Sequence, residues 1–266
     1  MTSLPLVDSH CHLDRLDLAP YDGDFDAMLA AARTAGVEQM LCISVDMESF
    51  PQVRQLAERH DSIFASVGVH PLYREVHEPE VDELLAQAAH AKVVAIGETG
   101  LDYFYAKDDN AWQQARFVTH IRAARASQLP LVVHTRGARA DTLKLLRDEG
   151  QGEVAGVLHC FTEDLPMAEA AMELGFYISI SGIVTFNNAH ELREVVRALP
   201  LERLLIETDS PWLAPMPHRG KKNEPKYVRE VAACVADLKG VSVAELAAIT
   251  RDNFFRLFSK AKRAQA

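Results

Sequence analysis

The sequence predicts one (β/α)8 barrel of the TIM type, an α/β fold with a C-terminal helical extension, and three observations point there. Short runs rich in Val, Ile and Leu recur along the chain. Between them lie patterns with apolar residues three and four apart, the spacing of one helical face. About eight such pairs fit within the first 240 residues or so, and a barrel of this type takes roughly 250.

The strand-like runs are Leu6–Ser9, Gln39–Val45, Ile63–Val69, Val93–Gly97, Leu131–His134, Val154–His159, Phe176–Ser181 and Leu204–Thr208. Their nearly continuous apolar character is that of parallel strands buried on both faces. Helical spacing marks Phe25–Ala35, Pro51–Arg59, Val81–Ala89, Ala111–Ser127, Ala140–Glu149, Pro166–Leu174, Ala189–Ala198 and Tyr227–Leu238. A final helix pair, Val243–Ile249 and Asp252–Ser259, precedes a polar tail, SKAKRAQA. No linker or composition shift divides the chain, so residues 1–266 read as a single domain. A doubly wound sheet also alternates strand and helix, but no glycine-rich dinucleotide fingerprint follows the first run.

With 48% hydrophobic and 25% charged residues the composition is that of an ordinary soluble domain. The 28 basic against 38 acidic residues leave a formal charge of -10, which argues against a non-specific polyanion-coating protein. An enzyme whose metals bind one phosphate is unaffected by that argument. The first residues lack the pattern of a secretory signal, and no apolar run approaches the roughly 18 residues of a membrane span. A cytoplasmic location without membrane association is the expectation. Four cysteines, Cys11, Cys42, Cys160 and Cys234, show no CxxC spacing and read as reduced thiols. Strand alternation should turn Cys11 and Cys160 away from their neighbouring histidines, as small buried residues.

Chemistry begins at Val7-Asp8-Ser9-His10-Cys11-His12, where alternation points His10 and His12 the same way. Two imidazoles need further ligands to hold a metal. They recur at the C-terminal ends of later runs: Glu98 in AIGETGLD, His134 in LVVHTR, His159 in VLHCF and Asp209 in LIETDSP. In a barrel these ends share one rim, where active sites of this fold sit. A lone histidine after an apolar strand is usually a core residue, but repetition on five strands is hard to ascribe to packing. Six donors exceed the needs of one tetrahedral ion and suit two divalent ions sharing a carboxylate. The expected assignment gives His10, His12 and Asp209 to one ion, His134 and His159 to the other, and Glu98 to both. A bridging water would be acidified, with Asp209 as its general base, and hydrolysis is the reaction class. Glu207 either orients a ligand histidine or makes a structural hydrogen bond. Zn²⁺ and Mn²⁺ suit this donor set, while Mg²⁺ is less at home among four imidazoles.

The ordered set DSHCH, GVHP, IGETGLDY, VVHTR, LHCF, SGIVTF and ETDSPWLAPMPHRGKKNEP resembles the TatD family of metal-dependent deoxyribonucleases, within the amidohydrolase-like superfamily. The resemblance runs from the first strand to the last. It implies a (β/α)8 barrel, metal-dependent hydrolysis of DNA phosphodiesters, and metal residues at His10, His12, Glu98, His134, His159 and Asp209.

Substrate contacts follow from position. His70 in GVHP and Arg136, two residues beyond His134, can reach a phosphate oxygen or make loop hydrogen bonds. His218, Arg219 and Lys221, with Lys222 and Lys226, form the densest basic cluster and suit phosphate or a solvated loop. Tyr103, Tyr105, Phe186 and Trp212 can stack on a base or pack in the core. The expected activity is a deoxyribonuclease, exonucleolytic on single strands or 3' ends and needing no protein partner as a monomer. The alternative is a binuclear amidase, esterase, lactonase or aminoacyl-tRNA ester deacylase. A metal-stabilised scaffold without catalysis would require closed coordination, which six donors at an open rim do not suggest.

Overall fold

The apolar runs and amphipathic segments fold into eight parallel strands that pair in chain order, with helices between them. The computed structural model describes residues 4–106 and 110–263, so the end of the polar tail lies outside the described residues. The strands are β1 (Leu6–Cys11), β2 (Val37–Cys42), β3 (Ile63–Val67), β4 (Val93–Asp102), β5 (Leu131–Arg136), β6 (Gly156–Leu158), β7 (Phe176–Ile180) and β8 (Leu204–Ile206). The helices are α1 (Phe25–Thr34), α2 (Phe50–Arg59), α3 (Val81–Ala88), α4 (Ala111–Ser127), α5 (Arg139–Gly150), α6 (Leu165–Glu173), α7 (His190–Ala198), α8 (Val228–Lys239) and α9 (Val243–Leu257). Caps follow local chemistry: Asp24 accepts from the Asp26 and Ala27 amides at the start of α1, and Asp164 from the Met167 amide at the start of α6.

Strand alternation sorts the buried residues into two layers. Leu6, Met40, Ile63, Val93 and Leu131 pack outward against the helices. Their neighbours Val7, Leu41, Phe64, Val94 and Val132 turn inward and join Phe254 of α9 and Phe258 just after it. The last helix thus plugs one end of the barrel and leaves the opposite rim for the site.

Two expectations change. The final helix pair is one helix, α9, because its polar centre is satisfied without a break. Thr250 Oγ1 donates back to Leu246 O at 2.9 Å, and Asn253 Nδ2 donates to Leu201 O and Leu204 O at 2.8 and 2.9 Å. Strand β4 runs five residues past Gly97 to Asp102, pairing with β5 as far as Arg136. The glycines that look like a strand end instead allow close approach: a Cβ on Gly100 would lie 2.0 Å from His134 O.

The ladder runs from β1 to β8, and the seam between those two strands is closed differently. Asp8 Oδ1 accepts the Thr208 amide at 2.9 Å and Asp8 Oδ2 the Thr208 hydroxyl at 2.5 Å. Just beyond, the Asp209 amide donates to His10 O at 2.9 Å and the His12 amide to Ser210 O at 2.8 Å. Burial pushes the Asp8 carboxyl up to about 8 against the opposing Thr208 bonds.

Candidate metal centre

The seam brings together residues from opposite ends of the chain. Register shifts between Asp8 and Cys11. Cys11 thereby packs outward, donating to Leu41 O at 3.4 Å, while His10 and His12 face the rim with their Nε2 atoms 3.3 Å apart. Asp209, in the left-handed conformation at φ 57°, turns Oδ1 to within 3.7 Å of His10 Nε2 and 3.5 Å of His12 Nε2.

Glu98 stands at the middle of the group, almost fully buried. Its Oε2 lies 3.4 Å from His10 Nε2, and its Oε1 lies 2.7 Å from His159 Nε2 and 3.3 Å from both His134 Nδ1 and His70 Nε2. Four imidazoles therefore surround one carboxylate within 3.4 Å. Three donor sets converge closely enough to grip an ion: His10, His12 and Asp209; His10, Glu98 and His159; and His70, Glu98 and His134. The first set is the expected one; of the other two histidines, His159 stacks on His10 with ring centres 3.8 Å apart while His134 sits beside His70.

The electrostatics keep two carboxylates ionised among the imidazoles. Burial pushes Glu98 up, but His159, His70, His10 and His134 outweigh it and hold the carboxyl well below the usual range. Burial likewise opposes ionisation of Asp209, but His12, His10 and His159 outweigh it and hold that carboxyl below its ordinary value. Burial would lower His159, yet Glu98 and Glu207 lift it well above its ordinary value. His159 Nε2 is buried and close to Glu98 but makes no well-directed hydrogen bond, as expected of an atom aimed at a third body. Soft nitrogen donors mixed with carboxylates suit a divalent transition metal.

Two side chains orient the ligands from behind, and neither role required a metal ligand in itself. Glu207 Oε1 accepts the Cys160 amide at 2.7 Å and lies 3.4 Å from His159 Nδ1, so it does both jobs considered for it. Asp102 Oδ2 lies 3.0 Å from His134 Nε2, leaving His134 Nδ1 for the centre. Asp102 lies beyond the apolar run Val93–Gly97 that marks this strand in sequence, within the strand as it extends to Asp102. Carrying strand alternation through it places Glu98, Gly100 and Asp102 on one side.

Above the donors opens a cavity of about 570 Å³, lined at its floor by His12, His70, Glu98, His134, His159 and Asp209. Its walls include Leu72, Tyr73, Tyr105, Ile183, Trp212 and Leu213, with Arg136 at the edge. Cys160 also lines it, at φ 43° with Sγ 3.1 Å from Ser181 Oγ, a correction to the expectation that it faces away. Its left-handed backbone breaks the alternation on which that expectation rested. The loop bases stand elsewhere: His218 stacks on Tyr227, Arg219 lies over Phe186, and neither they nor exposed Lys221 line the cavity. Tyr103 is engaged with Asp141 and Gln114. No helix among the described residues is long and apolar enough to cross a membrane.

Residues 7–259 match the family described as TatD related DNase. The chain is 51% identical over 254 residues to the uncharacterised metal-dependent hydrolase YcfH of Escherichia coli K12, covering 95% of each chain. It is 39% identical to the uncharacterised metal-dependent hydrolase YabD of Bacillus subtilis, over 95% of this chain and 98% of the other. The crystal structure of YjjV, a TatD homologue from Escherichia coli, superposes with a TM-score of 0.89 at 31% identity, over 97% and 99% of the two chains.

Proposed function

Since the chain belongs to the TatD-related DNase family of metal-dependent hydrolases, we propose that it cleaves DNA phosphodiester bonds, acting on single strands from their 3' ends. Two divalent ions, Zn²⁺, Mn²⁺ or Mg²⁺, would be held by His10, His12, Glu98, His134, His159 and Asp209. When bound, such ions supply Lewis acidity and lower the pKa of water toward neutrality. The residues supply the rest. Asp209, kept ionised by the surrounding imidazoles, takes the proton of the attacking water. Glu207 and Asp102 keep His159 and His134 turned toward the centre.

The observation that carries a phosphate substrate is Arg136. It is the one arginine among the described residues lining the cavity; Arg15, Arg116, Arg122 and Arg139 have carboxylate partners, while others such as Arg33, Arg59 and Arg147 have none among the described residues. Arg136 has none among the described residues; its guanidinium lies 4.4 Å above Phe104 and 4.8 Å above Tyr105, at the cavity edge. A cation left without a protein anion, in a chain of net charge -10, supports an anionic ligand beside the metals. Large apolar side chains are exposed at few places, and Phe104, Tyr105 and Trp212, at 53, 61 and 48%, all flank this mouth. Flat rings next to a phosphate-binding cation suit an unpaired base.

The test is release of mononucleotides from an end-labelled single-stranded oligonucleotide with Mg²⁺, Mn²⁺ or Zn²⁺. No release with any metal, alongside turnover of carboxylic esters, lactones or aminoacyl esters, would replace this reading with the acyl-hydrolase alternative.

A further inference from the structure

We infer that His70 is a neutral, pre-oriented Nε2–H donor for the substrate oxygen on which charge develops, and that it is not a metal ligand although it stands among the ligands. The substrate half of this inference rests on the hydrolase reading above. The half that concerns metal binding does not.

An imidazole binds metal through a nitrogen that carries a lone pair, and the partner of the other nitrogen decides which one that is. His134 and His159 place a carboxylate behind the ring. Asp102 Oδ2 faces His134 Nε2 at 3.0 Å and Glu207 Oε1 faces His159 Nδ1 at 3.4 Å. Each carboxylate fixes the proton on the far nitrogen and leaves the near one, toward Glu98, bare. His70 is wired in the opposite sense. Its Nδ1 accepts the backbone N–H of Leu72 at 3.1 Å. A backbone amide can only donate, so Nδ1 must be bare, and the proton of the neutral ring sits on Nε2. That is the atom 3.3 Å from Glu98 Oε1, so it faces the centre as a donor with no lone pair to offer a cation.

The surrounding backbone holds this donor in place. The Val69 amide donates to His120 Nε2 at 3.0 Å, and the His70 amide donates to Val45 O at 2.9 Å. Arg116, ion-paired with Glu78, donates to His70 O at 2.6 Å and to Tyr73 O at 2.7 Å. His120 and Arg116 both project from α4, a rigid element behind the loop. A donor fixed before substrate arrives costs no reorganisation during reaction, and an uncharged one does not repel metal ions nearby. His70 lines the cavity floor with the ligands, so an oxygen of the reacting group can replace Glu98 Oε1 as its acceptor. No proton is transferred; the hydrogen bond strengthens as negative charge builds on that oxygen.

The experiment combines two measurements on the full chain. Imidazole ¹⁵N spectra of histidine-labelled protein, without metal and loaded with ¹¹³Cd²⁺, should show His70 protonated on Nε2 in both states, with cadmium coupling to His134 and His12 and none to His70. Steady-state hydrolysis of bis-p-nitrophenyl phosphate by the metal-loaded His70→Ala variant should lose about 10²–10³ in kcat, the loss expected for one oxyanion donor. Its metal content should stay that of the parent, and His70→Gln, which restores an N–H donor, should recover at least about tenfold. Cadmium coupling at His70, a lost metal equivalent in His70→Ala, or an unchanged kcat would each overturn the inference. If the parent protein hydrolysed no ester, the functional reading would fall and so would the substrate half, while the spectra would still decide the wiring of His70.

Discussion

Asp102 and His134 form a carboxylate–imidazole pair across adjacent strands, with Oδ2 3.0 Å from Nε2. The pair selects the nitrogen that His134 presents to Glu98. Replacing Asp102 with Ala frees the ring to rotate and removes the acceptor that makes it a good donor. Metal affinity should fall by about 10–100-fold while the barrel persists, read by competition with a chromogenic chelator. Unchanged affinity would show that His134 is fixed by packing alone.

His10→Ala and His12→Ala should each abolish stoichiometric binding of at least one ion and the hydrolysis that depends on it. The fold should survive, because both rings face the rim and not the layer packed on the helices. Elemental analysis beside far-UV circular dichroism separates the two effects. Full activity in either variant would refute the centre as drawn.

Arg136→Ala and Trp212→Ala should weaken binding of a single-stranded oligonucleotide and spare the turnover of a small phosphodiester. Loss of a charged hydrogen bond costs about 1.5–3 kcal/mol and loss of a stacked base about 1–3 kcal/mol. Fluorescence anisotropy gives the affinity. Equal loss for the small substrate would move both residues from substrate recognition to the structure of the mouth.

Burial pushes His120 down from 6.5 to about 4, the Arg116 carbonyl only partly opposing it. The unfolded chain then binds more protons than the folded one between those values, so stability rises with pH across that window. The contribution is complete above about pH 6.5 and is lost as the pH falls toward 4; it amounts to at most about 3 kcal/mol. Urea melts at pH 7.5, 6 and 5 should show it as a difference that His120→Gln flattens.

Gly100→Ala should destabilise by about 3 kcal/mol or more, since the glycine sits at φ 130° and its new Cβ would collide with the backbone of His134. Thermal melting checks the cost. Metal affinity should fall with it, because the collision displaces a ligand-bearing strand.

The barrel was readable because each strand carries one residue for the inner layer and one for the outer, which no other element imitates over so many repeats. The six proposed ligands were visible for the same reason, as polar residues in an otherwise apolar position. What stayed hidden depends on conformations that alternation does not anticipate. Cys160 lies at the cavity because of one left-handed residue, and Asp102 belongs to the site because β4 continues through two glycines. The wiring of His70 depends on a hydrogen bond to its own loop, which no spacing reveals. The basic run after Asp209 is conspicuous in sequence, but its contacts are not: Arg219 is laid over Phe186 and Lys226 is paired with Glu224.

The seam between the first and last strands carries a lesson about the order of events during synthesis. His10 and His12 leave the ribosome near the start of translation and Asp209 near its end, and the bonds from Asp209 to His10 O and from His12 to Ser210 O, with those of Asp8 to Thr208, bring them together. Until residue 209 has been made, the set of His10, His12 and Asp209 lacks its carboxylate. An ion held by these three side chains would tie the first strand to the segment that follows the last. A cell starved of that ion would accumulate protein that is fully made but easily reopened at one edge, and exposure of the Asp8 and Thr208 region to protease would report it.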